Sequence, residues 1–236
     1  MNQFARAFTP DRLQEAWKVI CEDFPFAAWE TLYATILATL FAIIIGLPLG
    51  MLLVAGDAKG IRPLPPILMK VINVVINLLR SVPFIILMVM VIPLTRVIVG
   101  TSVGTVASIV PLVIAAFPFV ARLVEGSLRE VNPNIIETAQ SMGATPMQIL
   151  LKVMLPESVP SLISNFTLAI TTIMGYTAMA GAVGGGGLGK IAITIGYNRY
   201  KLAVLYAAVI VLVILVQVMQ SFGTWLATKS DKRLKK

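Results

Sequence analysis

The 236-residue chain contains no histidine and one cysteine, Cys21. Those two shortages exclude a histidine acid/base pair, a Cys/His metal cluster and an intramolecular disulfide, and the chain is not expected to be an enzyme. Charge is scarce as well. Only 13% of residues are charged, against about a quarter in soluble domains, while 58% are hydrophobic and the mean hydropathy is +0.90. The net charge of +8 does not point to nucleic acid, because Lys and Arg fall between apolar runs and at the C-terminus and not along one amphipathic face. The opening 30 residues mix both signs of charge without a short apolar core, so no cleaved secretory signal is expected.

Long apolar runs are what the chain does have. Four are free of charge, Leu32 to Ala55, Thr101 to Ala121, Ser158 to Gly189 and Leu202 to Thr228, and each reaches the roughly 20 residues a helix needs to cross a bilayer. A fifth, Val71 to Thr95, is interrupted only by Arg80. These runs predict an all-α polytopic membrane protein with about five transmembrane helices. With the N-terminus outside, eleven Lys and Arg fall inside and seven outside, so positive charge favours N-out, C-in, though the basic tail carries most of that difference. The expected layout is an extracytoplasmic segment 1–30, a membrane domain 31–225 with a polar loop 122–157, and a basic cytoplasmic tail 226–236. Gly46, Pro48, Gly50, Pro83, Pro111 and Pro118 lie within the runs, and each proline removes a helical hydrogen bond and favours a kink.

Arg80 is costly at mid-membrane, so it should face protein, water or headgroups. Asn73 and Asn77 share its helical face. The three read either as a polar strip along a conduit or as the cytoplasmic end of a tilted helix. Tyr176 and Met179, in the Ser158 to Gly189 run, which is the fourth of the five expected spans, read either as lining residues or as bundle core. Gly184-x4-Gly189-Lys190 imitates a phosphate loop, but Ile191 stands where Ser or Thr would hold magnesium, and no strand precedes it. No Asp or Glu falls inside these runs, which counts against an ion-coupled secondary transporter.

The polar loop is the most informative stretch. Asn132-Pro133 supplies an N-cap and a first-turn proline, and Gly143 suits the position after a helix end. Thr145-Pro146-Met147-Gln148 fits a capping box, and Pro156 should limit the second helix. Met147, Leu150, Leu151 and Met154 fall at helical spacing and form an apolar stripe, which either lies on the membrane surface or packs on a partner.

Glu137-Thr138-Ala139, three residues, Gly143, nine residues and Val153-Met154-Leu155-Pro156 together resemble the signature Glu-Ala-Ala-x3-Gly-x9-Ile-x-Leu-Pro of bacterial ABC importer permeases. Thr138 and Val153 depart from it by small changes. Arg80 to Phe84, Ile92 to Thr101, Met142 to Pro146 and Gly181 to Gly189 extend the resemblance to the methionine importer permeases, parts of which polar amino-acid permeases share. The resemblance implies an ABC importer type I permease fold in the bacterial cytoplasmic (inner) membrane. It also implies a second copy of the chain, two cytoplasmic ATPase subunits that hold the ATP and magnesium, and an extracytoplasmic methionine-binding lipoprotein. By the same resemblance, Glu137, Thr138, Ala139, Gly143, Ala144, Thr145, Pro146, Met147, Leu150, Leu151, Met154, Leu155 and Pro156 form the element that couples ATPase to membrane helices.

Overall fold

The computed structural model describes residues 9–231. Residues 1–8 of the N-terminal segment and residues 232–236 of the basic tail, with Lys232, Arg233, Lys235 and Lys236, lie outside the described residues. Helices make up the described chain, with no strand among its residues. In order they are α1 (Pro10–Ala55), α2 (Pro66–Ser81), α3 (Phe84–Met90), α4 (Ile92–Val99), α5 (Thr105–Arg129), α6 (Pro133–Ser141), α7 (Pro146–Gln148), α8 (Leu155–Glu157), α9 (Val159–Ala182), α10 (Gly187–Ile191) and α11 (Leu202–Ser230). Two π-wound stretches, Ile149–Met154 and Ala192–Tyr197, follow α7 and α10.

Four stretches are long and apolar enough to cross a membrane, Leu13–Ala55, Thr105–Arg129, Val159–Tyr197 and Leu202–Ser230, or five if the bent pair α2 and α3 is one span. The expected Val71 to Thr95 span is therefore not one helix. Pro83 has no N–H to donate and disfavours helical geometry in the residue before it. Val82 is accordingly extended (φ −77°, ψ 125°), and the chain restarts at Phe84. Pro48, Pro111 and Pro118 behave otherwise, lying within unbroken α1 and α5, so the expected kinks do not interrupt those helices.

The described residues form two compact units, one of residues 9–39, 83–113 and 170–219, the other of residues 40–82, 114–169 and 220–231. In the first unit Ala16, Phe24 and Ala27 of α1 are buried with Leu188, Ile191 and Ala192 and with Val204 and Ala208 of α11. Buried Thr31, Thr35 and Thr39 each donate a hydroxyl hydrogen bond to the carbonyl four residues back, at 2.9, 2.7 and 2.7 Å. Their polar atoms thus need no water. In the second unit Gly46 and Gly50, one turn apart on α1, lie against α5. A Cβ at Gly46 would meet Val120 Cγ1 at 2.8 Å, and one at Gly50 the carbonyl of Ala121 at 2.6 Å. Small residues at this spacing let two helix backbones approach where lipid offers no hydrophobic drive.

Large apolar side chains remain exposed along α11, among them Ile210, Val213, Ile214 and Val218. On a membrane helix such a face is solvated by acyl chains.

Candidate functional site

The polar loop begins later than its sequence suggests. α5 continues through Arg129, so residues 122–129 of the expected loop are helix. Arg122, Glu125 and Arg129 pair along it at spacings of three and four, which satisfies the charges that make the segment look like loop.

Beyond α5 the local chemistry is the one the residues specify. Asn132 Oδ1 accepts the Asn134 amide at 3.0 Å and Pro133 occupies the first turn of α6. At the other end Met142 and Gly143 donate their amides to Thr138 and Gln140 carbonyls, and Gly143 turns the chain with φ +76°. The capping box forms in both directions: Gln148 N–H donates to Thr145 Oγ1 at 3.4 Å, and Thr145 N–H donates to Gln148 Oε1 at 2.9 Å. Each cap of this kind is worth roughly 1 kcal/mol.

After Gln148 the helix widens. The π-wound Ile149–Met154 places more residues per turn than an α-helix, so an i, i+3, i+4, i+7 stripe no longer shares one face. Leu150 and Met154, at 6% and 3% exposure, are buried with Ile149, while Met147 and Leu151 are exposed. Met142, at 77%, joins them. The large apolar side chains left open on this loop are thus Ile135, Met142, Met147 and Leu151. Pro156 does not stop the second helix, because it sits in the first turn of α8, and only the turn at Ser158 separates α8 from α9.

Of the signature residues, Ala139 is buried beside the turn, and Glu137 and Thr138 are exposed. Ala144 and Leu155 are half-buried, and Thr145, Pro146 and Pro156 are exposed. Glu137 and Gln140 face a cavity of about 550 Å³ whose other walls include Asp57, Lys59, Arg129 and Met154. Methionine and leucine exposed on a rigidly capped loop, with a carboxylate at the edge, make a surface suited to an adaptable protein contact.

The expected pathway residues separate. Asn73 and Asn77 of α2 meet Arg122, whose Nη2 donates to both amide oxygens at 2.7 and 3.1 Å. Arg80 is exposed near the end of α2, one residue before Ser81. Tyr176 lies in the first unit, stacked on Phe84 with ring centroids 4.7 Å apart, and Met179 is exposed on the same helix. The glycine run that imitates a phosphate loop is taken up by protein groups. Gly187 N–H donates to Glu30 Oε2 at 2.9 Å, Leu188 N–H to Thr31 Oγ1 at 3.0 Å, and Thr105 Oγ1 donates to Glu30 Oε1 at 2.6 Å. Glu30 and Arg122 are absent from the sequence-derived candidates. Arg122 was detectable from the spacing Arg122, Glu125, Arg129; for Glu30, no local signal connects it to a turn 157 residues away.

The chain matches the family described as binding-protein-dependent transport system inner membrane component over residues 46–236. It is 47% identical over 207 residues to a probable D-methionine transport system permease protein of Vibrio cholerae, covering 88% of this chain and 92% of that one. The D-methionine transport system permease protein of Escherichia coli K12 is 46% identical over 160 residues, 65% of this chain and 70% of the relative. Among solved structures, an inward-facing conformation of the MetNI methionine ABC transporter superposes with a TM-score of 0.85 at 45% identity, covering 87% and 94% of the two chains. A bacterial alginate ABC transporter superposes at 0.71 with 15% identity, a likeness of fold alone.

Proposed function

We propose, from the premise that this chain belongs to the family of binding-protein-dependent transport system inner membrane components, that it is the membrane permease subunit of an ATP-driven methionine importer. The observation that carries the substrate is the 47% identity, over nearly the whole of both chains, to a relative named for D-methionine transport. The same comparison favours methionine over the polar amino acids that the shared motifs left open.

In this reading two copies of the chain enclose the pathway in the inner membrane, and two ATPase subunits sit beneath them, binding ATP with magnesium. A methionine-binding lipoprotein delivers substrate from outside. The capped loop from Asn132 to Glu157 supplies the attachment. Met142, Met147 and Leu151 enter a cleft on the ATPase, and Gly143 sets the angle between the two short helices that carry them. Closure of the ATPase pair on ATP then moves the loops, and α5 and α9, which continue from either end of the loop, carry the displacement into the membrane.

The test is reconstitution with the ATPase and the binding protein in liposomes loaded with ATP. Labelled D- or L-methionine should accumulate only when ATP is present, and ahead of histidine, glutamine or arginine. Uptake without ATP, or preference for one of those competitors, would overturn the reading.

A further inference from the structure

One polar network in the second unit joins Asn73 and Asn77 to the charged wall of the cavity at the loop base. It runs through Asp57 on the α1–α2 connection, Arg129 and Arg122 on α5, Glu125 between them, and Asn73 and Asn77 on α2. Arg129 Nη2 donates to Asp57 Oδ2 at 2.8 Å and to Glu125 Oε1 at 2.9 Å. The other Glu125 oxygen, Oε2, takes Arg122 Nη1 at 2.6 Å, and Arg122 Nη2 reaches the two asparagine oxygens. The Glu125 side chain is only 14% exposed and uses both oxygens on guanidinium groups.

Partly burying a carboxylate between two arginines costs desolvation, and packed apolar residues of the same size hold helices together at least as well. What the charged arrangement adds is directional fixing. Guanidinium groups bridge several acceptors in a rigid fork, so the last two turns of α5 are tied laterally to α2 and to the α1–α2 connection. The tie ends at the base of the loop, since Arg129 is three residues from the α6 cap Asn132 and shares the cavity wall with Glu137 and Gln140 of α6.

We infer that Glu125 is a positioning residue for transport: through Arg122 and Arg129 it makes the end of α5, α2 and the α1–α2 connection move as one body when the coupling loop is displaced. The inference rests on the functional reading above. Without the tie, the loop still binds the ATPase but its displacement is lost in α5 alone. The carboxylate serves no proton transfer, and it touches neither nucleotide nor substrate.

Three variants separate this from a merely structural role: Glu125→Gln, Glu125→Asp and Arg122→Lys, each in the complete transporter in liposomes. The readouts are ATPase retained on purification, ATP hydrolysed, and labelled methionine accumulated per ATP. Glu125→Gln should retain the ATPase and its hydrolysis within about twofold while methionine moved per ATP falls about tenfold, as expected for losing a hydrogen bond to charged groups. Glu125→Asp should recover part of that ratio. If Glu125→Gln fails to insert, Arg122→Lys, which keeps the charge but replaces the rigid fork whose two Nη atoms reach Glu125 and the asparagines by a single compact ammonium, should show the same fall in ratio. An unchanged ratio in the variants, or uptake falling only in step with ATPase retention, would overturn the inference. A wild-type complex that hydrolyses ATP without accumulating methionine would instead overturn the functional reading, and this inference with it.

Discussion

At the scale of single residues, backbone geometry and side-chain space impose different limits. Gly143 has φ +76° but nothing within 4 Å of where a Cβ would lie, so conformation, not room, selects glycine. Gly143→Asn should therefore be tolerated, since asparagine enters the left-handed region at small cost, whereas Gly143→Val should add about 1–2 kcal/mol of strain and misdirect α7. ATPase retained on affinity purification is the measurement, with Asn near wild type and Val well below it. Gly187 is limited both ways, having φ +77° and the Thr31 hydroxyl where a Cβ would go. Charge at the loop base has its own signature. The hydrogen bond from Arg129, then that from the Ala58 amide, hold the Asp57 carboxyl below the usual carboxylate range. A depressed folded-state value means the stabilisation is complete above the ordinary carboxylate range and disappears as pH falls through the lowered one. Between about pH 5 and 8 the pair is therefore fully ionised. With both side chains more than 40% exposed, it should also be worth little by itself. Asp57→Asn should lower the unfolding temperature only slightly, by an amount constant across that pH window; a difference growing with pH there would contradict the assignment.

At the scale of elements, the same apolar residues divide into two functions once the π-wound stretch is taken into account. Met147 and Leu151 are exposed, and Ile149, Leu150 and Met154 are buried beneath them. Met147→Asp or Leu151→Asp should leave insertion and thermal stability near wild type while weakening ATPase attachment by a few kcal/mol, because a charge without a counter-ion would be desolvated in the contact. Leu150→Asp should instead destabilise the loop within the isolated chain, seen as a lower unfolding temperature before any partner is added. If all three act alike, the division between surface and support is wrong. The sequence made both short helices legible because caps are local: Asn132, Thr145 and Gln148 name their partners within three residues. The π-winding was not legible, since the stripe has ordinary helical spacing. Helix ends in the long runs were also missed, because counting stops at a charge. α5 passes Arg122 through pairing on its own surface, and α1 begins at Pro10, long before the apolar run at Leu32. Pro83 broke its helix whereas Pro48, Pro111 and Pro118 did not. The difference is visible in the extended Val82 but not in the residue type.

At the scale of the whole molecule, the broken pair α2 and α3 decides topology. Four long helices alone place both termini on one side; a fifth crossing made by the pair places them on opposite sides. α2 and α3 contribute 16 and 7 residues, but a bend of 105° at their break means the two lengths do not add along one axis, so the pair is either a broken span or a re-entrant loop. Aromatic side chains pair at the start of the first apolar run, Trp29 with Tyr33 within α1, and near the end of α11, Phe222 with Trp225, where Lys229 Nζ lies 4.8 Å from the Trp225 ring, as aromatics do at membrane interfaces. We predict five crossings with the N-terminus out and the C-terminus in, the direction that the excess of Lys and Arg favours. The chain carries its own probe, because Cys21 is its sole thiol and is exposed on α1 ahead of the first apolar run. In intact spheroplasts a membrane-impermeant maleimide should label Cys21, the Cys21→Ser variant should stay unlabelled, and a green fluorescent protein fused after Lys236 should fluoresce. Cys21 labelled only after permeabilisation, with the fusion still fluorescent, would mean an even number of crossings. The pair α2 and α3 would then enter and leave the membrane on the same face.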